Sequence, residues 1–138
     1  TNKKPCIQAA PKAGNGWQSF RATTATTGRY CLLCIEGVHT DATEAAIAEI
    51  YLLNDKGQRL SRESWKAVYA DSESGNHTTD KLFDLQESTF WQSEPTARKP
   101  ILLLIDLGSE QMVSGLDYLP RAEKSAPGSV SRLSVYIY

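Results

Sequence analysis

The side chains best suited to chemistry in this sequence are oxygen-bearing residues gathered in one short stretch. Asp84, Glu87 and Thr89 fall within six residues, and no apolar periodicity places them in a core. Hard cations such as calcium take six to eight oxygen ligands, many of them backbone carbonyls, which a tight loop leaves without sheet partners. The spacing differs from that of an EF-hand. From the residues alone, a polar turn in which Asp84 accepts hydrogen bonds from nearby N–H groups is the simpler explanation.

Catalytic motifs are absent from the sequence. The two histidines, His39 and His77, lie far apart, and there is no Gly-x-Ser-x-Gly, Walker loop or HExxH segment. Cys31 and Cys34 form a CxxC spacing, but their apolar surroundings predict a buried strand, on which residues three apart point to opposite faces. We therefore expect buried free thiols, no zinc site and no enzymatic activity.

Composition narrows the class of protein further. The chain has 138 residues and a net charge of -1, which gives no attraction to nucleic acid or to an anionic membrane. No apolar run approaches the ~20 residues that span a bilayer, and no signal peptide is visible. We expect one domain over residues 1–138, with residues 1–16 as a loosely ordered lead-in. We expect neither nucleic-acid binding nor membrane insertion.

Short apolar runs separated by Gly and Pro predict an all-β fold. A turn is expected at residues 54–57, a reversal at residues 107–109 and about one helical turn at residues 78–83. Seven short strands with turns between them predict a β-sandwich or jelly roll. The candidate strands are residues 18–23, 29–36, 48–53, 65–70, 101–106, 112–119 and 130–138.

Three motifs resemble the F5/8 type C (discoidin-like, galactose-binding-like) domains: Phe83-Asp84 through Thr89-Phe90-Trp91, Ile105-Asp106-Leu107-Gly108, and Tyr118-Leu119-Pro120-Arg121. Within that family the sequence is most similar to the family 32 carbohydrate-binding modules of bacterial glycan-degrading enzymes. Residues 28–50 are similar to the part of the family that usually comes last. The resemblance covers about residues 18–138, and it implies a jelly-roll sandwich with a circularly shifted strand order.

The resemblance implies a structural calcium ion that stabilises the fold and takes no part in chemistry. Glu49 is an acid in an otherwise apolar strand, which suits a ligand. Leu85 stands where the family has a glycine, and we expect this substitution to strain the loop. Carried over position by position, the ligands are the side chains of Asp84, Thr89 and Glu49 and the carbonyls of Lys81, Glu87 and Ala48.

The resemblance also implies a weak binding site for galactose- or amino-sugar-bearing glycans. Arg121 matches an arginine of the family's sugar site, although it could instead fix its own loop. The other candidate ligand residues are His39, Trp65, Gln92 and Glu94. The sequence departs from the family at Gln92, where a histidine is common, and in residues 38–43, which offer no aromatic platform. Trp65 could equally belong to the core.

The leading function is therefore a non-catalytic carbohydrate-binding module appended to a glycoside hydrolase or a related glycan-processing enzyme. Its partners would be a glycan and the catalytic domain of the parent protein. Its location would be secreted, periplasmic or at the cell surface. The alternative is a protein-interaction or interdomain packing module on the same sandwich, without sugar binding. Membrane binding of the discoidin kind needs exposed apolar loop residues, which residues 71–80 and 122–129 do not supply.

Overall fold

The computed structural model describes residues 3–39, 43–121 and 128–138. A short 3-10 helix covers Thr79–Phe83. No helix in the described part of the chain is long and apolar enough to cross a membrane. The strands are β1 (Ile7–Ala9), β2 (Gln18–Val38), β3 (Ala46–Ile47), β4 (Glu49–Leu53), β5 (Lys66–Ala70), β6 (Trp91–Gln92), β7 (Ile101–Leu119) and β8 (Val130–Ile137).

Two long strands, β2 and β7, form the centre of the fold. They pair antiparallel along nearly their whole length, from Gln18 opposite Tyr118 to Ile35 opposite Ile101. Shifts of register interrupt this ladder near its middle, between residues 21 and 30 of β2. Interruptions of this kind bend a sheet and increase its twist. The ladder therefore divides into two halves with different surroundings.

Glycine permits the bend in β7. Gly108 has φ +86°, in the left-handed region, and a Cβ placed there would lie 2.5 Å from the Cβ of Ser64. On β2, a Cβ at Gly28 would lie 2.3 Å from the carbonyl oxygen of Tyr138. A side chain at either position would push apart backbone segments that now touch. Both strands can therefore fold over at this point.

Each half of the ladder belongs to a different layer. The five-stranded layer contains β1, β8, residues 30–38 of β2, residues 101–106 of β7, and β5. The three-stranded layer contains the other halves of β2 and β7 together with β4. Apolar side chains from both layers share one buried core, including Leu33, Leu103, Ile50 and Leu116. The predicted all-β sandwich is confirmed.

Because β2 and β7 both fold back, the outer ends of their two halves meet at one end of the sandwich. The amide of Val130, at the start of β8, donates to the phenolic oxygen of Tyr118 at 3.2 Å. The amide of Ala48 donates to the carbonyl of Leu119 at 3.0 Å. We call this the loop end of the molecule. The short pair β3 and β6 lies against it through the hydrogen bond from the amide of Ala46 to the carbonyl of Gly128.

The predicted strands are present, but four of the predicted segments belong to only two strands, β2 and β7. Residues 18–23 and 29–36 belong to β2, and residues 101–106 and 112–119 belong to β7. The predicted change of direction at residues 107–109 takes place within one continuous strand, where Gly108 lets β7 fold over from one layer to the other. The turn at residues 54–57 and the helical turn near residues 78–83 are confirmed. Within residues 1–16, β1 pairs with β8 and Ile7 is fully buried, so residues 7–9 are sheet and not a loose lead-in.

The cysteines are buried and free, as predicted. Cys31 is fully buried in the core, and Cys34 is almost fully buried without joining the core cluster. Burial raises the pKa of the Cys31 thiol to about 12. These thiols therefore act as small apolar side chains.

Candidate functional site

Asp84 organises the loop that follows the 3-10 helix. Its Oδ1 accepts a hydrogen bond from the amide of Gln86 at 3.0 Å, and its Oδ2 accepts one from the hydroxyl of Thr89. The predicted polar turn is confirmed. Leu85 has φ 64° and its side chain is 78% exposed. The left-handed conformation disfavours a residue with a Cβ by roughly 1–2 kcal/mol, so the expected strain at this glycine-like position is confirmed.

Glu49 of β4 lies beneath this loop and forms a buried ion pair. The Nη1 of Arg62 is 2.7 Å from Oε1 of Glu49, and both side chains are at most 3% exposed. The same nitrogen lies 2.9 Å from the carbonyl oxygen of Ile50 and 3.0 Å from that of Leu82. Arg62 thereby connects β4 to the 3-10 helix. Its guanidinium also lies 3.6 Å from the ring centre of Tyr51.

The second carboxyl oxygen of Glu49 faces another carboxyl group. In the described part of the chain, no N–H or hydroxyl group donates to the buried Oε2, and the neighbouring carboxyl group is that of Asp84. Two such groups can hydrogen-bond only when one of them holds a proton. Burial raises the pKa of Glu49 to about 8; Asp84 adds to the rise and Arg62 opposes it. Burial also raises the pKa of Asp84, but hydrogen bonds involving Thr89, Glu49 and the Gln86 amide bring it below its ordinary value.

This arrangement fits a hard cation. A divalent ion between the two carboxyl groups would replace the shared proton and would occupy the orphaned oxygen. The structure brings together the three predicted side-chain ligands, which are Asp84, Thr89 and Glu49. Ala48 directly precedes Glu49 in the chain. Ligation by the carbonyls of Lys81, Glu87 and Ala48 stays a prediction. No three His, Cys, Asp or Glu side chains of the described residues gather as a metal site, so carbonyls would have to supply the remaining ligands.

A second group of polar side chains lies near the loop end. The Nη1 of Arg121 donates to Oε1 of Gln92 at 3.1 Å. The guanidinium carbon of Arg121 lies 4.3 Å from the ring centre of Phe90, and the imidazole of His77 stacks on the same ring at 4.2 Å. The amide of Gln92 donates to the carbonyl of His77 at 3.2 Å, which fixes β6 beside this stack. We call these four residues the Arg121 cluster.

The other predicted sugar-site residues make their contacts elsewhere. Trp65 is 6% exposed and packs edge-on against Phe83, with ring centres 5.6 Å apart. A ring this buried offers no face to a sugar, so Trp65 belongs to the core, which the sequence left open. The ring nitrogen Nε2 of His39 lies 2.6 Å from the carbonyl oxygen of Pro11. Glu94 is exposed, and its backbone amide donates to the hydroxyl of Ser72 at 2.8 Å.

Arg62 is the site residue that the sequence reasoning missed. Between Ser61 and Glu63 it has the surroundings of a surface loop. One signal was present, since an acid such as Glu49 in an apolar strand needs either a cation or a basic partner. The sequence offered 15 basic residues and no means of choosing among them.

The fold and these contacts define an all-β sandwich with a buried carboxyl pair and a separate polar and aromatic cluster. No family model matches the chain. Two galactose oxidases of Gibberella zeae, one from strain PH-1, are each 33% identical to it over 85 residues. The match covers 59% of this chain but only 12% of each relative. The chain is therefore similar to a small part of galactose oxidase. These relatives are fungal, and nothing supports the bacterial origin expected from the sequence.

Proposed function

We propose that this chain is a non-catalytic carbohydrate-binding module of the F5/8 type C kind, related to family 32 and with the shifted strand order inferred from its sequence. The motif resemblance, the sandwich fold and the similarity to proteins named galactose oxidase support this proposal. In it, the module is attached to the catalytic domain of a secreted or cell-surface glycan-processing enzyme and has no activity of its own. It neither inserts into membranes nor binds nucleic acid.

The observation that carries the proposal is the contact between Arg121 and Gln92. They are 29 positions apart, both are predicted ligand residues, and the fold brings them within 3.1 Å of each other. A guanidinium and an amide side by side match the donor and acceptor character of adjacent sugar hydroxyl groups. The ring of Phe90 already contacts Arg121 and His77. Because this ring is already covered by Arg121 and His77, hydrogen bonds would dominate the binding of a sugar, and we expect that binding to be weak.

A glycan array with and without calcium tests this function. We expect binding to galactose- or amino-sugar-bearing glycans, and we expect Arg121→Ala to reduce it at least about tenfold, because a hydrogen bond to a charged group contributes ~1.5–3 kcal/mol. Arg98→Ala is the matched control, since Arg98 is exposed. Melting curves establish that both variants fold. A clean negative across the array, or equal binding by Arg121→Ala and wild type, would contradict the proposal.

The proposal includes a structural calcium ion at Asp84 and Glu49. Calcium at 100 times its dissociation constant would stabilise the fold by ~2.7 kcal/mol. Unfolding entropy of ~2.1 cal/mol/K per residue converts this to a rise of ~9 °C in the melting temperature for 138 residues. Asp84→Asn should lose this rise, whereas Asp55→Asn, in the exposed turn after β4, should keep it. Equal melting temperatures in calcium and in chelator would contradict the metal site.

A second function, interdomain packing, is favoured by the outer face of the five-stranded layer. Cross-strand neighbours there form an apolar row of Tyr136, Leu32, Leu104 and Tyr69. Tyr69 is 53% exposed, and so is Val68 beside it. Exposed apolar rows of this kind often mark contact surfaces. This function predicts that Leu104→Ser with Tyr69→Ser weakens association with the parent protein's catalytic domain, and that Arg121→Ala leaves it unchanged. Unaltered association of the double variant would exclude this face.

A further inference from the structure

A cavity of about 530 Å³ opens beside the loop that follows the 3-10 helix, next to Tyr51 of the three-stranded layer. Its walls come from Tyr51, residues 59–63, Trp65, Phe83 and Leu85. Volumes of 300–1,000 Å³ are typical of small-molecule sites. None of the residues of the Arg121 cluster lines this cavity, so it is a separate candidate site. We call it the Arg59 pocket.

Two guanidinium groups line the pocket: that of Arg62 is buried against Glu49, and that of Arg59 is exposed and held in a fixed position. The guanidinium carbon of Arg59 lies 4.3 Å from the ring centre of Trp17 and 4.2 Å from that of Tyr51. Its Nε donates to Oδ2 of the buried Asp117 at 2.9 Å, and Oδ1 of Asp117 accepts from Ser19. Contacts on the rings and at Nε fix the plane of the guanidinium.

The two terminal nitrogens of Arg59 remain available. Within the part of the chain that the structure describes, they donate no hydrogen bond, and the side chain is 41% exposed. A guanidinium fixed at Nε presents the N–H groups of its terminal nitrogens as a preorganised fork, which matches the two oxygens of a carboxylate. This side of the pocket therefore suits an organic anion.

The remaining walls limit the kind of anion. Leu60, Phe83 and Leu85 supply apolar surface, so the ligand needs a ring or chain of similar character beside its charged group. The hydroxyl of Ser61 can bond to ligand hydroxyl groups. Glu63 is exposed at the same pocket and would repel a second negative charge. A single carboxylate is thus favoured over a phosphate dianion.

We propose that the Arg59 pocket binds a uronic acid unit of an acidic glycan, with the sugar carboxylate on Arg59 and the ring against Leu60 and Phe83. The choice of a sugar rests on the proposed function, whereas the choice of a carboxylate rests on the geometry of Arg59. The pocket would give the module a second, charge-selective site. Such a site distinguishes acidic from neutral glycans.

Titration of ¹⁵N-labelled protein with D-galacturonate, D-galactose and inorganic phosphate tests the proposal. Galacturonate should shift the Nε resonance of Arg59 and the indole resonance of Trp17, and it should leave the indole of the buried Trp91 in place. Galactose and phosphate should not shift the first two. Arg59→Gln should weaken galacturonate binding about tenfold or more, since a charge-assisted hydrogen bond is lost. Arg98→Gln, the same change at an exposed arginine, should have no effect.

Arg59→Gln also removes a partner of Asp117 and could unfold the protein, so a second variant separates loss of binding from loss of folding. Ser61→Glu places a negative charge in the pocket, leaves Asp117 untouched and should weaken galacturonate binding. The proposal is overturned if galacturonate leaves Arg59 and Trp17 unshifted, if phosphate binds equally well, or if Ser61→Glu and wild type bind alike. Galactose shifts confined to Gln92 and Arg121 would report on the Arg121 cluster alone, so the two proposals fail separately.

Discussion

Replacing Arg62 by methionine removes the buried cation that connects β4 to the 3-10 helix. Methionine keeps much of the apolar stem but leaves three buried acceptors without their donor: Glu49 Oε1 and the carbonyl oxygens of Ile50 and Leu82. Each buried orphan of this kind costs about 1–3 kcal/mol. Above the raised pKa of Glu49, about 8, the pair is ionised, and breaking a buried ion pair by removing one partner costs ~3–5 kcal/mol. We expect Arg62→Met to lower the free energy of unfolding by ~4 kcal/mol.

Urea unfolding followed by circular dichroism, in calcium-free buffer, measures this change. The midpoint should fall while the slope of the transition stays constant. Unfolding entropy of ~2.1 cal/mol/K per residue over 138 residues predicts a drop of ~14 °C in the melting temperature. Arg98→Met, at an exposed arginine, is the control and should change stability by less than ~0.5 kcal/mol.

The double variant separates the ion pair from simple loss of packing. Glu49→Met combined with Arg62→Met leaves no uncompensated carboxyl group beside Asp84, so it should be more stable than Arg62→Met alone. A loss below about 1 kcal/mol for the single variant would refute the inference that this pair is desolvated. A double variant whose loss equals the sum of the two single losses would refute the coupling.

Three further predictions concern the loop, the thiols and one surface pair. Leu85→Gly should raise the free energy of unfolding measured in urea by about 0.5–1 kcal/mol, since relief of the left-handed strain exceeds the added chain entropy, and Leu85→Ala should show no gain. A thiol reagent should label no cysteine of the folded protein and all three in denaturant; rapid native labelling of Cys31 would contradict its burial. Hydrogen bonds from Arg29 and from the amide of Gly108 lower the pKa of Asp106, so this group contributes stability above its ordinary pKa that is lost as the pH falls. Arg29→Gln should raise that pKa in a ¹³C titration, and an unchanged value would show that the pair is not formed in solution.

The sequence predicted the strands because their signal is local. Alternating or continuous apolar runs mark residues 18–23 and 101–106 without any knowledge of their partners. The continuity of β2 and β7 was not predictable in the same way. It depends on contacts such as that between Gly108 and Ser64, which are distant in sequence. A glycine two residues after an aspartate favours a local turn, and only the packed sheet shows that one strand continues through it.

The candidate sites show the same difference between local signals and contacts distant in sequence. The turn from Asp84 to Thr89 is built from hydrogen bonds between near neighbours, and its residue types indicate it directly. The pairing of Glu49 with Arg62 is a contact within the core, and the sequence around neither residue indicates the other. The choice of Arg121 and Gln92 as candidate ligand residues came from family resemblance, and their contact was not predicted, because nothing in composition or periodicity relates a strand end to β6.

The central ladder also determines when this chain can begin to fold during synthesis. Residues 18–35 pair with residues 101–118, on the order of 65–100 positions downstream. At ~5–20 residues per second, β2 waits several seconds after leaving the ribosome for its partner. Meanwhile its apolar half, including Cys31, Leu33 and Ile35, has no sheet to enter, so it is a segment for chaperones to bind. A chain stopped before β7 would lack both layers, because the same strand completes each.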